Sequence, residues 1–272
     1  MRKAEWINLI AFSFFIICSW LRPLTNPRRL AIASIGATGI ILITAIQFAD
    51  QIIPRFAALV ARDWLPAALM PLVYWQAGCF SSRVNKSFQT RLQRLDQKLL
   101  SGWMPSLAAK ASYRWVAVTL ELAYLSCYVL VPMGLGVLYL AGLQRHTIEY
   151  WSVVLLATYP CYAFSAFVQT LPPRVLEKNS AGTVKGKIRR FNLWIVRYLS
   201  IQLNTFPSAH VTATLSGSLV LLHFVPSIGL AFVFISIGIA LGAVLGRYHY
   251  AADVLLAAIL TVAVYALEIS YL

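Results

Sequence analysis

Apolar runs of roughly 20 residues, almost free of charge, recur along the whole chain, and nothing else in the sequence constrains its fold as strongly. About 17–25 such residues cross the hydrocarbon core of a bilayer as a helix. Eight candidate spans stand out, at about 4–21, 30–49, 64–80, 113–141, 150–170, 208–225, 227–246 and 250–271. With no water in the bilayer core, each segment must satisfy its own backbone polar groups, which selects helices. The expected fold is therefore all-α: a polytopic membrane bundle of about eight spans. Composition agrees, since 60% of the 272 residues are hydrophobic and 12% charged, against about 25% charged in a soluble domain. Residues 1–21 resemble a signal peptide, but Trp20-Leu21-Arg22-Pro23 offers no small-residue cleavage site, so they are read as a span. The third candidate carries Pro66 and Pro71, and the long fourth one is expected to bend near Pro132 and Gly134.

The charge is strongly one-sided. The chain has 23 Lys and Arg against 9 Asp and Glu, a net +14. With eight spans, 18 of the basic residues fall in the odd-numbered loops and 5 on the other face. By the positive-inside rule the odd loops face the cytoplasm. No soluble basic domain exists to carry nucleic acid, so anionic headgroups and phosphate-bearing lipids are the expected partners, with no obligate protein partner. Within the third loop, Phe88, Leu92, Leu95 and Leu99 recur at helical spacing among Arg91, Arg94 and Lys98, the pattern of a helix lying in the interface plane. Phe191 to Ser200 forms a second such piece, and both read as anchors. Cys18, Cys79, Cys127 and Cys161 lie in or beside apolar runs without metal-type spacing, and His146 and His223 read as interfacial.

Three short segments carry chemistry, and the span count brings all three to one membrane face. They are Leu171-Pro172-Pro173-Arg174, Phe206-Pro207-Ser208-Ala209-His210, and Gly246-Arg247-Tyr248-His249-Tyr250-Ala251-Ala252-Asp253. His249 and Asp253, four apart, share one helical face. The carboxylate is expected to hold one ring nitrogen and leave the other as a nucleophile. His210, from another span, suits a general acid and base. Arg174 and Arg247 supply planar donors for phosphate oxygens, and Pro207-Ser208 opens a helix whose free amides favour an anion. Two arginines beside the histidines disfavour a metal ion, so neither metal nor other cofactor is expected. Glu121, with Tyr124 and Tyr128 on its helical face, is a carboxylate within a span; it reads equally as a functional group or as a tie between helices. Glu268 is expected at the exposed opposite end.

Pro-Ser-Ala-His followed by His-x-x-x-Asp resembles the type 2 phosphatidic acid phosphatase and vanadium haloperoxidase superfamily. Its motifs are Lys-x6-Arg-Pro, Pro-Ser-Gly-His and Ser-Arg-x5-His-x3-Asp. The resemblance covers the last five spans, about 113–271, as a core behind the N-terminal residues 1–112. It implies His249 as the nucleophile forming a phosphohistidine and Asp253 as its orienting partner. His210 would be leaving-group acid and then base, with Ser208, Arg174 and Arg247 holding the phosphate. Three departures are visible: Phe167 occupies the position of the first-motif Lys, Ala209 replaces Gly, and Ala243 stands where the third-motif Arg would fall. Lys178, Lys185 and Lys187 are the basic residues near enough to replace that Lys. Arg-x-His-Tyr-x-x-Asp with the preceding Pro-Pro-Arg looks most like the inositolphosphorylceramide-synthase-like branch. The resemblance implies a metal-independent lipid phosphatase. The alternatives are a phospholipid headgroup phosphotransferase and a catalytically silent lipid-binding or transport protein.

Overall fold

The computed structural model describes residues 1–81, 83–102, 113–176 and 186–270. Ten helices organise them: α1 (Lys3–Leu21), α2 (Asn26–Ala45), α3 (Arg55–Gly78), α4 (Lys86–Leu100), α5 (Arg114–Leu140), α6 (Thr147–Phe167), α7 (Lys187–Leu199), α8 (Ala209–Phe224), α9 (Pro226–Leu245) and α10 (Ala251–Ile269). Among the described residues there is no strand, only one isolated bridge between Thr170 and Asn204. The all-helical expectation holds. Six helices are long and apolar enough to cross a membrane: α1, α2 with its extension to Gln51, α3, α5, α9 and α10. The two other candidate spans, α6 and α8, are not among these six: α8 has only 16 residues, and polar and aromatic groups lower the hydropathy of α6.

The 16-residue α8 sits at the centre and packs against α5, α6, α9 and α10. Having protein on every side, it needs neither a long apolar stretch nor a polar face. Thr212, Thr214 and Ser218 on it turn their hydroxyls back to the carbonyls of Ser208, His210 and Thr214. Ser218 also meets Ser236 of α9 at 2.9 Å. The 21-residue α6 is likewise an interior helix, with Tyr150, Trp151, Thr158, Tyr159 and Tyr162 all buried. Its polar and aromatic groups lower its hydropathy yet face protein rather than lipid. Gly134 and Gly217 let α5 and α8 close on the Tyr150 ring, and any Cβ at either position would strike its hydroxyl.

Helices α1–α3 pack on one another, and α1 and α3 also pack on α6. Helix α3 starts nine residues before the expected span and runs through both Pro66 and Pro71. Charge inside it is neutralised at the face away from residues 171, 208 and 249. Asp63, buried, accepts from Tyr139 at 2.5 Å and Thr147 at 3.1 Å and pairs with Arg2. Arg62 pairs with the buried Glu5 at 2.8 Å. Glu268, expected to be exposed, is instead half-buried against Lys3 at 2.5 Å. Helix α5 is continuous through Pro132. All four cysteines are free, and Cys18, Cys127 and Cys161 are buried.

Candidate active site

The turn between α9 and α10 delivers the candidate nucleophile. Helix α9 closes with the amide of Arg247 on the Val244 carbonyl and the amide of Tyr248 on the Ala243 carbonyl. This is the Schellman arrangement, which needs a left-handed residue at Arg247, and its φ is 57°. The cap reverses the chain, so residues 248–250 cross the end of the bundle before α10 begins. Asp253, in the first turn of α10, accepts from the Tyr250 amide at 2.9 Å. The same Oδ2 lies 3.3 Å from His249 Nδ1. Asp253 is wholly buried and His249 nearly so. With Nδ1 held by the carboxylate, Nε2 is the nitrogen left for chemistry. Burial, with the Arg174 charge adding to it, pushes the His249 imidazole down to about 3, so the ring is neutral and its lone pair available.

Ser208 caps the start of α8, and its amide donates to the Asp253 carbonyl at 3.1 Å, tying α8 to α10. Its buried hydroxyl has no partner among the described residues. Two residues on, the His210 ring stands 5.9 Å from the His249 ring, centre to centre, at 61°. Tyr124 and Tyr128 of α5 flank it at 5.7 and 5.6 Å. Pro172-Pro173 sets up a single helical turn at Pro173–Leu176, with Pro173 in its first position. Arg174 follows, its amide on the Arg247 carbonyl at 3.0 Å and its Nη1 on the Tyr248 carbonyl at 3.2 Å. His210, His249 and Arg174 thus converge on one cavity of about 20 Å³, closed by Tyr74, Tyr124, Tyr128, Tyr248 and Thr205. It is a small polar chamber with one fixed cation and two imidazoles.

The remaining sequence-designated residues sit elsewhere. Arg247 does not line this cavity; its guanidinium pairs with Asp96 of α4 at 2.9 Å. Lys178 lies outside the described residues, as does Lys185. Glu121 does not reach the histidines. It accepts from Arg189 at 2.8 Å, from Asn192 at 2.6 Å and from the Tyr248 hydroxyl at 2.7 Å. Tyr248 is the common member of these contacts. Its ring stacks on Tyr124 at 3.9 Å and is flanked by the guanidinium groups of Arg189, at 4.5 Å, and Arg174, at 5.5 Å.

The two amphipathic helices, α4 and α7, build the site from outside the core. Helix α4 buries Gln89, Leu92, Asp96 and Leu100, one position on from the apolar stripe read in the sequence, leaving Leu95 exposed. Gln89 accepts from the Leu171 amide at 2.7 Å and donates to the Tyr250 hydroxyl, while Asp96 accepts from the Ala251 amide at 2.7 Å. Helix α7 turns Arg189, Asn192, Ile195 and Val196 inward and Phe191, Trp194 and Tyr198 outward. Gln89, Asp96, Arg189, Asn192, Tyr74 and Tyr248 are therefore site-building residues that sequence reasoning missed. The only available signal was polar residues interrupting otherwise amphipathic stripes.

A search against family models matches the PAP2 superfamily over residues 90–267, a stretch that begins inside α4 and ends near the close of α10. No curated protein and no solved structure matches the chain. Members of this superfamily are generally phosphatases or phosphotransferases, and the apolar helices suit a membrane form of that activity. The match takes in the helices that carry His210, Arg174, His249 and Asp253 and covers well over half of the sequence, so the chain belongs to the PAP2 superfamily.

Proposed function

We propose that the protein cleaves a phosphate ester or anhydride of a membrane lipid, with His249 as nucleophile and water as acceptor. One observation carries this reading: His249, oriented by Asp253, faces His210 across a small chamber that also holds Arg174. In the first step His249 Nε2 attacks phosphorus, the P–O bond to the leaving alcohol or phosphate breaks, and His210, protonated once the anionic substrate is bound beside it, gives that oxygen its proton. Arg174 balances the charge on the non-bridging oxygens. In the second step His210 takes a proton from water, whose oxygen attacks the phosphohistidine; the P–N bond breaks and inorganic phosphate leaves. Positioning and electrostatics supply the catalysis. A hydroxyl-bearing acceptor in place of water would make the same site a phosphotransferase, as in the inositolphosphorylceramide-synthase-like branch that the motifs resemble.

The test is phosphate release from the purified protein with a panel of lipid phosphates, with and without EDTA. Release that EDTA leaves unchanged is the expected result. Release that EDTA abolishes overturns the metal-independent mechanism. No release with any of the panel, followed by no transfer to an added alcohol, overturns the enzymatic reading in favour of lipid binding.

We further propose that all eight candidate spans cross the bilayer and that the site opens at the cytoplasmic face, a reading supported by the excess of basic residues in the odd-numbered loops. Single cysteines at Arg83 and Arg145, in a background lacking the native four, report this in intact cells. An impermeant maleimide is expected to label position 145 and spare position 83; the reverse pattern overturns the orientation.

A further inference from the structure

A second cavity adjoins the polar chamber and is far larger, about 320 Å³. His210, Tyr74, Tyr128 and Ser200 line both. Away from them its walls are apolar: Ala67 and Met70 of α3, Val131 and Pro132 of α5, Tyr162 of α6 and Ala213 of α8. From Trp75 to Ala67 the wall follows α3 for eight residues, about 12 Å at 1.5 Å per residue, away from the face that carries the histidines. Helices α3 and α5 touch only sparsely, and Trp75 and Tyr128, both in this lining, are among the exposed aromatics. The groove thus has a side opening between two helices expected to face lipid.

Helix α3 lies outside the 90–267 family match, so this wall is an addition of the N-terminal helices to the catalytic core. Tyr74 marks the junction. Its hydroxyl meets Ser200 Oγ at 2.9 Å and accepts from the Ile201 amide at 3.0 Å, which binds α3 to the segment entering α8. A phosphate-bearing lipid has a matching division between a small anionic head and a long apolar tail.

We propose that this groove holds the hydrocarbon chain of the substrate, with the N-terminal helices, through α3, setting the chain the enzyme accepts. The proposal rests on the lipid-phosphate reading of the neighbouring chamber. What supports the choice of occupant is continuity: among the described residues, a phosphoryl group beside His210 has in this groove a route for its ester chain that is apolar from the chamber outward. The groove also grips the leaving group during attack, because His210, the group that protonates the leaving oxygen, belongs to both cavities.

The test uses hexadecyl phosphate carrying a diazirine at the middle of the chain, irradiated with the full-length wild-type protein and mapped by mass spectrometry. A methyl ester of the same chain, without phosphate, is the control. Labelling of residues 67–75 by the phosphate probe, about tenfold above the ester, is expected, corresponding to about 1.4 kcal/mol of preference. In Ala67→Trp, which fills the groove, the ratio of kcat/KM for hexadecyl over propyl phosphate is expected to fall about tenfold, chiefly through KM. Label placed outside the groove's lining on α3, α5, α6 and α8, equal labelling by the ester, or an unchanged ratio in Ala67→Trp overturns the groove. Labelling of α3 without hydrolysis of either phosphate sustains the groove and overturns the phosphatase reading instead.

Discussion

His249→Ala is expected to reduce phosphate release by roughly 10³-fold or more while the protein still reaches the membrane folded. The size of the effect follows from the loss of the nitrogen that forms the covalent intermediate in the proposed mechanism. The survival of the fold follows from what remains around Asp253, which keeps the Tyr250 amide at 2.9 Å and, through its carbonyl, the Ser208 amide at 3.1 Å. Losing one buried partner costs about 1–3 kcal/mol. Asp253→Asn removes the charge but keeps the volume, and a fall of roughly 10²–10⁴-fold is expected, since the imidazole loses the group that fixes its tautomer. Rates from lipid-phosphate hydrolysis, set beside gel filtration and thermal denaturation of each variant, separate chemistry from folding. Wild-type turnover in His249→Ala would sink the mechanism.

Arg189→Ala carries the largest expected stability effect. Arg189 and Glu121 are paired at 2.8 Å with side chains 7% and 6% exposed. Removing one partner of such a buried pair leaves an uncompensated charge and costs about 3–5 kcal/mol. Replacing both is milder: in Glu121→Gln with Arg189→Met the amide oxygen still accepts from Tyr248 and Asn192, and most of the loss is expected to return. Activity should follow a different course. Arg189 stacks on Tyr248, whose carbonyl holds Arg174, so the double variant is expected to regain its melting temperature but not its full kcat/KM. Thermal denaturation in detergent and initial rates on the same samples check both parts. Equal melting temperatures for the single and double variants would show that water or lipid headgroups already solvate Glu121.

The contrast between residues found and residues missed has a physical basis. His210, His249, Asp253 and Arg174 were legible because each belongs to a short local pattern, and the α8–α9 hairpin brings the patterns to one face. Tyr124 and Tyr128 were legible as helical neighbours of Glu121, although their contact with His210 was not. Arg247 reads as a phosphate ligand in the sequence because its partner, Asp96, lies 151 positions earlier in the chain and no local pattern links the two. Helix α4 illustrates the general difficulty. Its apolar stripe suggested a face laid into the membrane interface, but the amides of Leu171 and Ala251 required acceptors, and Gln89 and Asp96 meet that need by turning the helix one position. Hydropathy likewise identified the lipid-facing helices well. The runs at about 150–170 and 208–225 were legible too, although the helices they form, α6 and α8, are surrounded largely by protein.

The Lys3–Glu268 contact joins the first helix to the last, although 265 positions separate them. Sequence order therefore hides a link at one end of the bundle, where the start of α1 meets the close of α10 through this ion pair. For work with the protein this has a practical side. An affinity handle or fluorescent reporter fused near residue 3 or residue 270 emerges on the side remote from the two histidines, where it leaves lipid entry unobstructed. A short linker across that gap would allow the helices to be re-ordered by circular permutation, with new ends opened at the exposed α5–α6 turn around Gly142.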